Sequence, residues 1–223
     1  MNIISNLTAR SVFDNARKAI EDAGISLQKA VLSQSYLRSE IAISTTQASY
    51  HVPVLINDNQ NGNPFNTERR LNLQDAFVVS EVGVFLAVPS GVNDATFLPL
   101  TYPDPVKFST ANAAADAQTL YNGWLRLIIN QKVIVPYWDI ARHYKAPITQ
   151  DGVGITAQTV FPTNDSNLCT DGVYPTEPNW VISGSKQIDF TLNLPAAIGV
   201  AQANSRIIIL QRGVLAQNST SVY

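Results

Sequence analysis

Residues 8–23 carry the first regular hydrophobic pattern of the chain. Apolar side chains recur there every three or four residues and would share one face of an α-helix, while charged residues occupy the other face. Thr8 suits the N-terminal cap, and Gly24 suits the end. The pattern predicts an amphipathic helix, with a second, weaker helical stretch over residues 26–34. The apolar stripe consists of Ala9, Val12, Phe13, Ala16, Ala19, Ile20 and Ala23.

From about residue 36 the pattern changes to the alternation of apolar and other residues that is typical of β-strands. Asn130-Gln131 separates two such segments and is the predicted tight turn. Gly83 is a candidate bend and Gly213 a candidate bulge. We expect roughly nine to twelve strands, the clearest of them over residues 50–56, 76–88, 97–100, 123–130, 132–136, 187–194 and 205–215.

The order of these elements predicts the fold class. Strands do not alternate with long helices, which argues against a parallel α/β sheet. We predict an all-β jelly-roll sandwich or barrel (residues 36–223) behind an N-terminal amphipathic helical arm (residues 1–35). The strand count favours a single barrel, and two small, compact barrels are the alternative.

The chain has few charges. Charged residues make up 14% of its 223 residues, against about 25% in an average soluble domain. Because the buried parts of protein interfaces are depleted in charge, this favours a chain that hides much of its surface in an assembly. The alternative is a monomer with a neutral surface rich in amides and hydroxyls. The net charge of −2 argues against broad electrostatic binding of nucleic acid, and we expect no specific nucleic-acid partner.

No motif for catalysis or for a cofactor emerges. His51 and His143 have no second ligand at metal-binding spacing, and Cys169 is expected to be a structural thiol. No nucleophile motif or phosphate-binding loop occurs, so we expect no enzymatic activity and no cofactor. Two alternatives are a hydrolase pair among Asp139, Asp151, Asp165 and Asp171, and a sugar-binding platform formed by Trp124, Trp138 and Trp180.

One loop approaches the calcium-binding pattern. Asn57, Asn59 and Asn61 alternate before Gly62, and Glu68 follows at the position of the bidentate ligand. Asn57 replaces the usual first aspartate, which lowers the ligand charge, and a strand precedes the loop instead of a helix. The sequence therefore indicates at most a weak calcium site, and an inter-strand turn is the alternative.

The arm offers a contact face formed by Val12, Phe13, Ala16 and Ile20. This face could pack on the sheet of its own domain, dock on a neighbouring subunit or touch a membrane. The mixed charges of the polar face argue against strong binding to anionic lipid. We expect deletion of residues 1–24 to leave the β domain folded and to impair assembly.

Three stretches of the β domain carry a resemblance to a known family: LNLQDAFVVSEVGVFLA (71–87), LYNGWLRLIINQKVIVPYWDIARHYKAP (120–147) and SRIIILQRGVLAQNSTSVY (205–223). Here the chain resembles the major capsid proteins of small tailless phages of Bacteroidetes hosts, including the lipid-containing single-stranded DNA phages. The likeness covers about residues 36–223. It implies jelly-roll barrels, single or double, that tile an icosahedral shell, commonly as trimeric capsomers.

The resemblance and the low charge together predict a structural virion protein. We expect it to assemble in the host cytoplasm with copies of itself, as trimers and a closed shell, and to contact other virion proteins. The arm would face inward, where it could touch an internal membrane, or would bridge subunits. The second hypothesis is a carbohydrate- or receptor-binding jelly-roll module of a spike or fibre, and the third is a jelly-roll hydrolase.

Overall fold

The computed structural model of the chain describes residues 3–56, 70–89, 97–100, 118–143, 172–198 and 205–219. In these residues one long α-helix, α1 (Ile3–Asp22), precedes nine β-strands, and a 3-10 turn (Ile140–His143) follows the sixth strand. The strands are β1 (Val31–Ala42), β2 (Ser49–His51), β3 (Ala76–Pro89), β4 (Phe97–Leu100), β5 (Trp124–Ile129), β6 (Lys132–Asp139), β7 (Val173–Ser183), β8 (Ile188–Asn193) and β9 (Arg206–Gln217).

The strands form two antiparallel sheets. Sheet A has five strands: β9 lies between β1 and β3, and the other side of β3 pairs with β7 along its first half and with β4 along its second half. Sheet B has four strands in the order β2-β8-β5-β6. The prediction of an all-β fold is confirmed.

One hydrophobic core lies between the two sheets. Sheet A contributes side chains such as Val84 and Ile207, and sheet B contributes Leu127 and Phe190, all fully buried in the same cluster. Ile188, Phe190, Leu192 and Leu194 are all buried, as the alternation over residues 187–194 predicts. The described strands therefore make one sandwich.

Helix α1 covers the outer face of sheet A. Ala16 and Ile20 are buried in a second, smaller cluster with Val78 and Val214, whose side chains point away from the main core. The helix ends where Gly24 adopts a φ of 75°, with hydrogen bonds from Gly24 N to Glu21 O and from Ile25 N to Ile20 O. These two bonds form a Schellman motif, so the predicted stop at Gly24 is confirmed. The predicted cap at Thr8 is wrong, because the helix begins at Ile3 and Thr8 lies within it.

The second predicted helix, over residues 26–34, is wrong. β1 begins at Val31, before the predicted start of the β domain at residue 36, and pairs with β9 from its first residue. The apolar spacing of Leu27, Ala30 and Val31 resembles one helical turn. Leu27 and Ala30 instead pack beside α1 in a connection, so tertiary contacts decide the local structure.

The predicted bend in β3 lies at Ser80 instead of Gly83. The register of β3 shifts between Val79 and Glu81 relative to both β9 and β7. Against β9 the shift leaves Ser80 as the extra residue, whereas against β7 the extra residues, 176–179, lie on β7. Gly213 lies directly opposite Val79, and a Cβ at this position would come within 1.8 Å of Val78 O. Gly213 therefore faces the bulge and permits the close approach of the two backbones.

The predicted turn at Asn130-Gln131 is confirmed. Both residues have positive φ, 48° and 64°, the combination that a two-residue type I′ hairpin turn requires. Gln187 fixes the turn to β8, because its backbone donates to Asn130 Oδ1 and accepts from Asn130 N, both at 2.9 Å. The turn therefore sets how β5, β6 and β8 lie in sheet B.

Candidate interaction surface

Exposed apolar side chains are concentrated on β6, which is an edge strand of sheet B in the part of the chain that the structure describes. Val133, Ile134 and Tyr137 have exposed fractions of 42%, 40% and 58%. Among the strand residues whose side chains the structure describes, no other strand has three exposed large hydrophobic residues. Removing apolar side chains from water is favourable, so a group of them that is exposed on the surface is a candidate contact site.

The neighbouring strand extends this group. Leu125, Leu127 and Ile129 point into the core, so Trp124 and Ile128 point outward, and Ile128 pairs with Val133. The Trp124 and Tyr137 rings are stacked, with centroids 5.5 Å apart and planes inclined by 18°. We define the β6 surface by five residues: Trp124, Ile128, Val133, Ile134 and Tyr137.

Charges of both signs lie around the β6 surface. Arg126 projects from β5 between Trp124 and Ile128, and Lys132 begins β6; both are exposed. Asp139 pairs with Trp124, and the exposed Asp189 pairs with Ile128 from the other side. Two cations and two anions thus border the surface.

The backbone edge of β6 is irregular. Its register against β5 shifts twice, between Leu125 and Leu127 and again between Leu127 and Ile128. Pro136, which has no N–H to donate, lies within the strand. Bulges and proline are the means by which natural sheets prevent another strand from adding to an edge.

A buried polar cluster lies at the end of β6 nearest the 3-10 turn. His143 is fully buried. It accepts a hydrogen bond at Nε2 from Trp138 Nε1 (2.9 Å) and uses Nδ1 to donate to Gly172 O (2.8 Å). Burial lowers the pKa of His143 to about 4, and the nearby Arg142 cation adds to this, while the Gly172 bond and Asp139 oppose it.

Both nitrogens of His143 are occupied, so in this arrangement the imidazole offers no lone pair to a substrate or a metal ion. The Arg142 guanidinium lies 4.2 Å from the centre of a Trp138 ring and 5.8 Å from that of Tyr174. The cluster therefore joins the end of β6 to the start of β7 and has a structural role.

The three tryptophans do not form the predicted alternative platform. Trp138 and Trp180 meet edge to face in the core, with ring centroids 5.0 Å apart. Trp124 lies on the opposite, outer face of sheet B and stacks on Tyr137. An aromatic pair therefore lies on the outer face, where Trp124 is half-buried and Tyr137 is exposed. The sequence pattern did not single out this tyrosine.

The other residues that the sequence suggested as sites do not come together in one place in the part of the chain that the structure describes. Ala16 and Ile20 of the arm face contact the chain's own sheet A, Phe13 packs beside them, and Val12 is exposed. Of the candidate hydrolase acids only Asp139 is described, and its Oδ1 accepts a hydrogen bond from Ala141 N. The remaining candidates lie outside the described residues: Asn57, Asn59, Asn61, Glu68, Asp151, Asp165, Cys169 and Asp171.

Within the described ranges no three His, Cys, Asp or Glu side chains come close enough together to hold a metal ion. No helix in that same part of the chain is long and apolar enough to cross a membrane. Comparison with protein-family models, with curated proteins and with solved structures finds no match to this chain.

Proposed function

We propose that this chain is a jelly-roll coat subunit that assembles with copies of itself into a closed virion shell. The observation that carries the proposal is the order in which its strands pair. A jelly roll arises when a long antiparallel hairpin of eight strands folds around one core, so that first and last strands pair, then second and seventh, and so on inward.

The strand pairing of this chain follows that nesting when the short β4 is set aside. β1 pairs with β9, β2 with β8, β3 with β7, and β5 with β6. Two further pairings, β9 with β3 and β8 with β5, join these hairpins into two sheets. This order supports a single jelly roll. Such folds serve as coat subunits and as lectin domains, so the surface must distinguish between them.

The surface favours contact between proteins. Charged residues are scarce in the chain, at 14%, and the β6 surface exposes aliphatic and aromatic side chains together. Exposed apolar groups rimmed by polar residues mark interaction sites. Repetition by symmetry lets modest contacts of this kind stabilise a large shell. In this proposal the subunits form trimers and then an icosahedral shell, assembled in the host cytoplasm together with other virion proteins.

The test is the mass of the assembled species. The full chain would be purified and studied by analytical ultracentrifugation and negative-stain electron microscopy over a range of concentrations. Trimers that convert into closed particles are the expected result. A chain that stays monomeric at all concentrations and ionic strengths would overturn the proposal.

The stacked Trp124–Tyr137 pair favours one second candidate, a carbohydrate- or receptor-binding module. Exposed aromatic rings can pack against the apolar faces of sugars, and Arg126 and Asp139 lie close enough along β5 and β6 to offer polar partners. Glycan-array screening followed by calorimetry on Trp124→Ala tests this candidate. A monomer that binds a glycan through Trp124 would favour it over the coat subunit.

A further inference from the structure

We propose that the β6 surface is where a second copy of this chain packs, through side chains and not through strand addition. The inference rests on the proposed function, because it names the surface by which the subunits meet. Its occupant is a copy of the same chain, in contact with Trp124, Ile128, Val133, Ile134 and Tyr137.

The composition of the surface suits a protein contact. Tyr137 and Trp124 are held against each other by stacking before any partner arrives, so their side chains lose little conformational freedom on binding. Rigid aromatic side chains of this kind dominate the binding energy of protein interfaces. Val133 and Ile134 are β-branched, which restricts the rotation of their side chains about χ1. The surface is therefore preorganised for packing.

The backbone of β6 excludes the other common way for a sheet edge to bind. Pro136 lacks a donor, and the two register shifts break the regular row of N–H and C=O groups that an added strand would need. A partner can therefore use the side chains of β6 and β5 but cannot continue sheet B as a ladder.

The charges around the surface indicate the kind of partner. Arg126 and Lys132 are balanced by Asp139 and Asp189. A strongly acidic or basic partner would meet one pair of like charges at close range, which is unfavourable. A second copy brings the same two cations and two anions, so a suitable rotation can place opposite charges together. Charge complementarity thus favours self-association.

The experiment compares two pairs of matched variants of the full chain. Ile134→Glu places a charge in the β6 surface, and Ile56→Glu places the same charge on an isoleucine of similar exposure, 51% against 40%, elsewhere on the molecule. Tyr137→Ser and Tyr36→Ser form the second pair. Circular dichroism would identify folded variants, and ultracentrifugation would measure the dissociation constant of the smallest oligomer.

Ile134→Glu is expected to weaken association at least about tenfold, while Ile56→Glu stays within about threefold of the unchanged chain. If either glutamate variant fails to fold, the tyrosine pair decides in the same way. Equal association of Ile134→Glu and Ile56→Glu, whether both strong or both weak, would overturn the inference while leaving the proposed function standing. A monomeric unchanged chain would overturn both.

Discussion

Trp138 Nε1 lies 2.9 Å from Nε2 of His143 and donates a hydrogen bond to it. This bond leaves the imidazole proton on Nδ1, where it is donated to Gly172 O. Protonation of Nε2 would place two N–H groups against each other inside the core. The neutral imidazole is therefore part of the folded structure, and this residue should make the stability of the protein depend on pH in the acid range.

The pKa of His143 predicts an acid-sensitive fold. It is about 4 in the folded protein and 6.5 when exposed, so between these values the unfolded chain binds more protons. The stability that the neutral His143 contributes is fully present above pH 6.5 and is lost as the pH falls towards 4. The difference between these two pKa values corresponds to about 3 kcal/mol of unfolding free energy, at roughly 1.4 kcal/mol for each pKa unit.

Urea unfolding at a series of pH values between 4 and 7 measures this contribution. His143→Gln is the control, because glutamine is neutral throughout and can still accept from Trp138. The unchanged chain should lose about 3 kcal/mol more than His143→Gln over this window. Equal pH dependence of the two proteins would contradict the assigned role, since His51 is present in both.

Helix α1 should stabilise the sandwich through its inner face alone. Ile20→Ala removes a fully buried side chain and is expected to cost about 2–5 kcal/mol of unfolding free energy. Val12→Ala, on the same helix but exposed, should change the unfolding free energy by less than about 0.5 kcal/mol. Thermal and urea unfolding of the two variants tests the difference.

The same packing changes the expected effect of deleting residues 1–24. The deletion would expose Ala76, Val78, Val214 and Ala216 on the outer face of sheet A. We now expect it to lower the stability of the β domain itself, so that a loss of assembly would not by itself show that the helix contacts a neighbour.

Gly213 is predicted to tolerate no side chain. An alanine Cβ there would come within 1.8 Å of Val78 O, so one of two central strands would have to move. Gly213→Ala should cost about 3 kcal/mol or more. Gly24→Ala offers a graded comparison: its φ is 75° but no atom lies within 4 Å, and the expected cost is about 1–2 kcal/mol. Equal costs would refute the close-approach explanation.

Gln211 is predicted to lower the stability of the core in which it lies. Its side chain is fully buried between Leu37 and Val82 of the neighbouring strands, and neither amide atom has a hydrogen-bond partner in the described part of the chain. Gln211→Met should raise the unfolding free energy by about 1–3 kcal/mol, whereas Gln34→Met, at an exposed position of β1, should leave it nearly unchanged. Chemical denaturation measures both, and a destabilised Gln211→Met would contradict the prediction.

Local patterns sufficed to predict most of the elements. The 3.6-residue period of residues 8–23, the alternation over residues 187–194 and the Asn130-Gln131 turn depend on neighbours along the chain, and the structure has all three. The bend in β3 was predicted at Gly83 instead of Ser80, because the irregularity follows from how β3 pairs with β7 and β9, which are far away in sequence. The start of β1 at Val31 was missed for the same reason, because it depends on pairing with the distant β9.

The β6 surface could not be predicted from its sequence. Lys132–Pro136 contains three consecutive apolar residues, which is the pattern of a strand buried on both faces. Two register shifts turn Val133 and Ile134 outward and leave Val135 in the core. Pro136 is the one local signal that favours an edge strand. Which side chains of β6 are exposed depends on how β6 pairs with β5, and the sequence period of β6 does not predict this pairing.

The position of β9 constrains how this chain can be made. β9 lies between β1 and β3, and Val31 at the start of β1 pairs with Gln217 at the end of β9. During synthesis β1 and β3 leave the ribosome long before β9, so the strand edges that β9 joins stay unpaired until then. Sheet A can close only after translation has passed residue 217, so the nascent chain must be kept from aggregating until its last described strand emerges.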